Sequence, residues 1–496
     1  MVRKKVLLIL AIVTAAAMSV SVTACLASNK ASVSSETEVQ TQTEDITTSE
    51  EISNTEDGGH AIEVSGDEAS YSNIKVTKTG DSSSGDEADF YGDNAAVFAT
   101  DGATLTLEDI VVDTDGKHAN AVFSYGSGTT VNISNSVITT SGNCSGGLMT
   151  TGGGTMNAAN LDIHTTGNSS AAIRSDRGGG TVNVDGGTYV TDGTGSPVIY
   201  STADITVSNA TLESTTSEGV VVEGKNSVTL NNVSLTADNN AHNSNKSDNY
   251  KAVMIYQSMS GDASVGLATF TMTGGSITNK NGDVFFVNNT SATITLENAE
   301  IINQDTDGVF LRAAAAGWGT EGSNGGKVNL ILKDQDQTGD IVVDKVSALN
   351  LYLSEGTTYT GAINAANEGE VYVEIEKGSK WVLTGDSYIT GLTCEADAVD
   401  LNGHKLYVGG TEYTAGTSST GTAITITTES SGKPDGMPGE PPSGGMPDGE
   451  KPSGDFPGDP PSGDKPQGDP PSGDPPSGSP GSNGGEPPAK PSEKTT

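Results

Sequence analysis

Apolar and polar residues alternate in short bursts along the middle of this chain, and the bursts return at a nearly constant interval. The phrase TVNV at Thr181 to Val184 comes back as DITV at Asp204 to Val207 and as SVTL at Ser227 to Leu230, 23 residues apart each time. Alternation with a period of two marks strands with one buried face, and the Gly, Asn, Asp and Ser between them mark turns. A strand-rich unit repeated at this length is one coil of a β-solenoid. Aligned on the second residue of the phrase, the coils fall at Leu105, Val131, Met156, Val182, Ile205, Val228, Phe270, Ile294 and Val328, with steps of 23 to 26 residues except after Val228 and Ile294. The two long steps carry ADNNAHNSNKSDNYK (Ala237 to Lys251) with SMSGDASVGLA, and AAAAGWGTEGSNGG (Ala313 to Gly326). Insertions confined to a few coils are expected as loops on the flank of the solenoid.

Each coil also holds an apolar run before the phrase, such as AVFSYG, GLMTTG, AIRSDRG, PVIYST, GVVVEG and VMIYQS. Stacked coil on coil, these runs predict a parallel sheet in which, if Val122, Leu148 and Ile173 face inward, Phe123, Met149 and Arg174 face outward; one residue of slip gives the inverse. The period loosens after about Asp340, and alternation returns once more in AITITT, ending at Thr428. The fold predicted for 60–428 is therefore all-β, a single-stranded parallel β-helix of roughly a dozen coils closed by a C-terminal cap.

Composition explains how so polar a chain can fold this way. Only 33% of the 496 residues are hydrophobic and 5% aromatic, which is poor for a conventional core. A solenoid needs only a thin inner column of Val, Ile and Leu, because neighbouring coils satisfy its backbone hydrogen bonds. The net charge of −39 repels phosphate backbones, so nucleic acid is excluded as a partner.

The first residues read as an export signal (1–24), with Arg3, Lys4 and Lys5 ahead of the apolar segment Val6 to Met18. Val22-Thr23-Ala24-Cys25 resembles the lipobox of bacterial lipoproteins, which makes Cys25 the expected lipidation site and the lipid the expected membrane anchor. A plain secretory signal with an incidental Cys is the alternative. Residues 25–59, rich in Ser, Thr and Glu, are expected as a disordered tether, and 429–496, rich in Pro, Gly, Ser and Asp, as a disordered tail. Cys144 and Cys394 stand too many coils apart for a disulfide, about 48 Å at one strand spacing per coil. Both are expected as small buried apolar residues.

The phrases DEADFYGDNAAVFATDGATL, NAVFSYGSGTTVNIS, SGGLMTTGGGT, SAAIRSDRGGGTVNV, SEGVVVEGKNSV, VMIYQSMSGDA and GWGTEGSNGG resemble a family of secreted or lipid-anchored β-helix proteins of Gram-positive gut anaerobes, described as adhesin-like or carbohydrate-binding. The resemblance spans about Gly66 to Thr411. It implies a right-handed parallel β-helix of the pectate-lyase-like superfold, displayed on the cell surface, and it transfers no catalytic residues.

Candidate chemistry gathers at a few places. Arg174, Asp176 and Arg177 concentrate charge in a charge-poor sheet, and two guanidinium forks beside a carboxylate suit a sugar acid; the alternative is an internal ion pair around a Gly turn. Phe123, Tyr125, Tyr189, Tyr200 and Tyr256, with Glu223, Lys225 and Gln257, offer aromatic faces and polar rims of the kind a carbohydrate groove needs. Stacked aromatics are also ordinary structure in a β-helix. Trp318, among small residues of an insertion, is the best exposed-aromatic candidate. Asp86, Glu87, Asp89 and Asp93 cluster carboxylates as Ca²⁺ ligation requires, though without EF-hand or RTX spacing, and a solvated acidic loop is the alternative. No HExxH, GxSxG or paired-carboxylate motif stands out.

The function expected from these residues is non-catalytic adhesion or binding of a glycan or other host or cell-surface ligand, without a cofactor unless Ca²⁺ is used. A Ca²⁺-dependent polysaccharide lyase or glycoside hydrolase, and a purely structural surface spacer, are the rival readings.

Overall fold

A computed structural model describes residues 46–426. They form an almost entirely β structure of long parallel sheets, a parallel solenoid. One sheet has 21 strands and a second has 11, and short sheets of four and three strands follow near the C-terminal end. The large sheet carries two ladders. One contains the repeated phrase, with Val131, Met156, Val182, Ile205, Val228, Phe270 and Ile294 in register. The other contains the run after it, with Ile138, Ile163, Tyr189, Leu212, Leu235 and Ile277 in register. The expected third ladder is the 11-stranded sheet, where Val122, Leu148, Ile173, Ile199, Val220 and Val253 stack one above the next.

These columns meet inside the solenoid as one continuous apolar core. Its side chains are mostly Val, Ile and Leu because a β-branched residue on every second position fills a parallel rung without polar atoms to satisfy. Aromatic rings also enter this core: Phe270, Phe285 and Phe310 pack edge to face at 5.5 and 5.7 Å. Trp381 and Tyr359 are fully buried, and each places its polar atom on a backbone carbonyl, Nε1 on Gly361 at 2.9 Å and the hydroxyl on Gly339 at 2.7 Å. Tyr189 belongs to this core as well and is absent from any surface groove.

One corner of the solenoid is built from a column of glycines and a column of serines. Gly116, Gly142, Gly167 and Gly193 stack so closely that a Cβ on each would lie 1.8 to 2.0 Å from the carbonyl oxygen of the glycine one rung before it. Three residues further on, Ser145 Oγ accepts the Ala119 N–H, Ser170 Oγ that of Ser145 and Ser196 Oγ that of Ser170, each at 2.9 Å. The same hydroxyls donate to Gly116, Gly142 and Gly167, so every rung of this corner is tied to the one below. Between the two columns lie His118, Cys144, Ser169 and Gly195, all with left-handed backbone (φ +58°, +58°, +55° and +66°).

The structure adds several features that alternation does not carry. Glu50–Asn54 is a strand paired in parallel with Ile74–Lys78, so ordered structure begins inside the segment assigned to the tether. Ile52 packs on the core there, a single apolar residue hidden in an acidic run. Asp86–Tyr91 is a helix, α1, in place of the expected acidic loop. Asp86 and Glu87 favour its first turn electrostatically, and Gly92 closes it in left-handed conformation with its N–H on the Ala88 carbonyl at 2.8 Å. At the far end Leu406–Val408 pairs antiparallel with Thr411–Glu412, which ends the parallel stacking. The start of AITITT is no further strand of the solenoid; Ile424 exchanges hydrogen bonds with the side chain of Asn350 instead. The proposed signal, Cys25 and most of the tether, and the tail from 429, lie outside the described residues. Among the described residues no helix is long and apolar enough to cross a membrane.

Candidate functional site

The outer face of the 11-stranded sheet carries the side chains that the sequence singles out. Phe123, Met149, Arg174, Tyr200, Val221 and Met254 form one outward column, and Asp176, Glu223 and Tyr256 stand two residues further along their strands. An outward column normally faces water, yet Phe123 and Met149 are fully buried and Val221 and Met254 nearly so. Phe123 and Met149 pack with Ala95, Phe98 and Tyr125 beside α1, while over Val221 and Met254 the insertions fold across the sheet rather than hang from its flank. Arg177, at the turn after this face, lies against α1, with its guanidinium 3.9 Å from the centre of the Phe90 ring. The two long loops cover Val221, Met254 and Phe286, and meet each other where the Gly317 N–H donates to the Lys246 carbonyl at 2.7 Å.

Between those loops and the sheet lies a cleft of about 110 Å³. Tyr200, Met254, Tyr256 and Trp318 line it with apolar surface, and Glu218, Asn239, His242, Asn243 and Lys251 with polar groups. Trp318 meets the Tyr256 ring nearly edge-on at 5.2 Å, with the Lys246 ammonium 5.8 Å from the indole. Lys251 donates to the Asn249 carbonyl at 2.7 Å and the Ser247 hydroxyl at 3.1 Å. Burial lowers its pKa, and Glu218 and Asp283 partly offset the shift. The cleft is small and open to solvent on one side, so it suits part of a sugar ring with the remainder on the rim. Aromatic walls offer C–H contacts and the amides and charges offer partners for hydroxyls, a combination selective for polar ligands with apolar faces.

Glu223 forms the floor beside the cleft. Its carboxylate accepts the Tyr200 hydroxyl at 2.5 Å and both the hydroxyl and the N–H of Ser258, the latter at 3.2 Å. The Tyr256 hydroxyl is 3.5 Å from that of Tyr200. This network fastens the loop after Tyr256 to the sheet and fixes both tyrosine rings. Burial is the main cause that raises the Glu223 carboxyl above its ordinary value, against the downward pull of Ser258, Tyr200 and Tyr256. A carboxyl raised on folding favours the fold below its unfolded pKa, and that contribution is lost as pH rises through the folded value. The urea midpoint of the native protein is therefore expected to fall relative to that of Glu223→Gln as pH rises above 4.5. A gap between the two that stays constant with pH would contradict this assignment.

The other sequence candidates fall elsewhere. Arg174 pairs with Asp176 at 3.0 Å and Asp89 at 3.2 Å, and Arg177 with Asp262 at 2.9 Å. A sugar acid at these guanidinium groups would have to displace internal carboxylates. Lys225 is exposed at the turn after Glu223, with its N–H on the Ser264 carbonyl. Among the four acidic residues suggested for Ca²⁺, Asp86 and Glu87 are exposed, Asp93 accepts the hydroxyls of Ser82 and Ser84, and Asp89 alone points into the solenoid face. They do not gather into one oxygen cage.

A second concavity, an open groove of about 610 Å³, runs along the outer face of the phrase ladder. Asn132, Asn157 and Asn183 line it as an amide ladder, joined at 2.9 and 3.0 Å. Sequence reasoning missed this ladder. It also missed Glu218, His242 and Lys251 in the cleft, because loop residues carry no periodicity to place them. Cys144, expected as buried, is only half-buried. Aligning GKHA, GNCS, GNSS and GTGS would have placed His118 and Cys144 in one column. No family model, curated protein or solved structure matches this chain.

Proposed function

We propose that this chain is a cell-surface glycan-binding or adhesin-like protein without catalysis, a right-handed β-helix of roughly a dozen coils held at the membrane by lipid on Cys25. The observation that carries the binding reading is the cleft of Tyr200, Tyr256 and Trp318 with its polar rim. A spacer has no need to roof an apolar sheet face with two loops and leave an aromatic opening between them. Binding is favoured over turnover because Glu223, the buried carboxylate nearest the aromatic rings, is already bonded to donors of the protein itself. The net charge of −39 favours neutral or cationic glycans over strongly anionic ones.

The test is a glycan array probed with the purified chain, with and without Ca²⁺, beside an assay for new reducing or unsaturated ends on the glycans that bind. Retention of a defined set of neutral or amino glycans without new ends is expected. Release of ends would establish a lyase or hydrolase instead, and an array without any signal would favour the spacer.

A further inference from the structure

A second site, a rung or two from the cleft and independent of the glycan reading, lies under α1. Asp89, His118 and Cys144 place one potential metal-ligand atom each within 4.8 Å of one another, and among the described residues no other three His, Cys, Asp or Glu side chains do so. Asp89 comes from α1, and His118 and Cys144 come from successive rungs of the glycine–serine corner, where the His118 N–H donates to the Asn143 carbonyl and the Cys144 N–H to that of Asn168. His118 is 2% exposed, and its Nδ1 is buried without a hydrogen-bond partner. That nitrogen is nevertheless 3.2 Å from Asp89 Oδ2. Close approach without hydrogen-bond alignment is how two ligands of one ion sit, since a tetrahedral centre with bonds of ~2.0 Å separates its ligand atoms by about 3.3 Å.

We propose that Asp89, His118 and Cys144 form a binding site for a divalent transition-metal ion of the zinc class, which clamps α1 onto the solenoid. The donor set decides the class, because thiolate and imidazole beside one carboxylate suit Zn²⁺ or Co²⁺ and not Ca²⁺ or Mg²⁺. One ligand atom from each residue lies within 4.8 Å of the other two, so the three can converge on one ion. Asp89 and Asp176 are nearly buried and share the one guanidinium of Arg174. When the ion binds, Arg174 keeps Asp176 as its partner and gives up Asp89. Asn120 holds the other Asp89 oxygen at 3.1 Å, a supporting contact typical of metal carboxylates. The half-buried Cys144 provides the route in, and water completes the fourth position.

The test is a Co²⁺ titration of the reduced full-length chain, read as thiolate-to-metal charge-transfer absorption. One equivalent is expected to bind and give the band. Cys144→Ser should abolish it, and Ser169 already occupies the same position one rung on, so that variant is expected to fold. His118→Asn tolerates the left-handed backbone and should weaken Co²⁺ affinity at least ~10-fold. Cys394→Ser and Cys25→Ser should leave the band unchanged. Absence of the band in the native chain, or its survival in Cys144→Ser, would overturn the proposal.

Discussion

Gly167→Ala is expected to destabilise the folded chain by about 3 kcal/mol or more, a large loss for the addition of one methyl group. The added Cβ would lie 1.9 Å from the Gly142 carbonyl oxygen and 2.6 Å from its carbon. That carbonyl cannot retreat, because it receives the Ser170 hydroxyl at 3.0 Å and belongs to a corner tied rung to rung. Relief therefore requires two coils to separate, and separation breaks the parallel ladders on either side. Chemical denaturation checks the prediction against Gly385→Ala, whose Cβ would meet nothing closer than the Ala362 methyl at 3.2 Å. The control is expected to change stability by less than about 1 kcal/mol. Equal effects of the two substitutions would mean that the glycine column does not set the coil spacing.

Trp318→Ala is expected to weaken binding of the best array glycan about 30-fold, close to 2 kcal/mol, when affinities are compared by calorimetry. Trp318 is half-buried in an insertion and packs on the small Val221, Met254 and Phe286 cluster rather than in the central core, so its loss should leave the chain folded, with unfolding free energy lowered by no more than about 2 kcal/mol. The indole is the largest aromatic ring among the lining residues of the cleft and packs against Tyr256. The backbone bond from the Gly317 N–H to the Lys246 carbonyl holds the loop when the ring is gone. Unchanged affinity in this variant would move the binding site elsewhere on the molecule.

The repeating scaffold was legible because its physics is local and periodic. Val131, Val182 and Val228 announce inward positions by alternation alone, whereas the face of Val122 and Leu148 against Phe123 and Met149 is settled only by the structure, because their strands are buried on both faces. Tyr189 shows where the period was not applied far enough: it occupies an inward position of its ladder beside Ile163 and Leu212, and so belongs to the core. The covering elements were not legible. Nothing in DEADFY distinguishes a short helix on a sheet face from a solvated acidic loop until the buried partners of Asp89 and Phe90 are known. The loops around Trp318 and His242 come together through contacts between insertions about 70 residues apart, which no repeat reports. The residues flagged on the sheet, Tyr200, Glu223 and Tyr256, do lie together, because coil spacing stacks whatever faces outward. Arg177 and Lys225, at the turns, do not join them.

The central claim, that the roofed face of the 11-stranded sheet is the binding surface, is tested most directly by amide hydrogen exchange on the full-length chain with and without its best array glycan. Protection is expected in 239–250, 256–262 and 314–324, the segments that frame the cleft. Protection confined to the amide-lined groove around Asn132, Asn157 and Asn183, or none in either place, would contradict it.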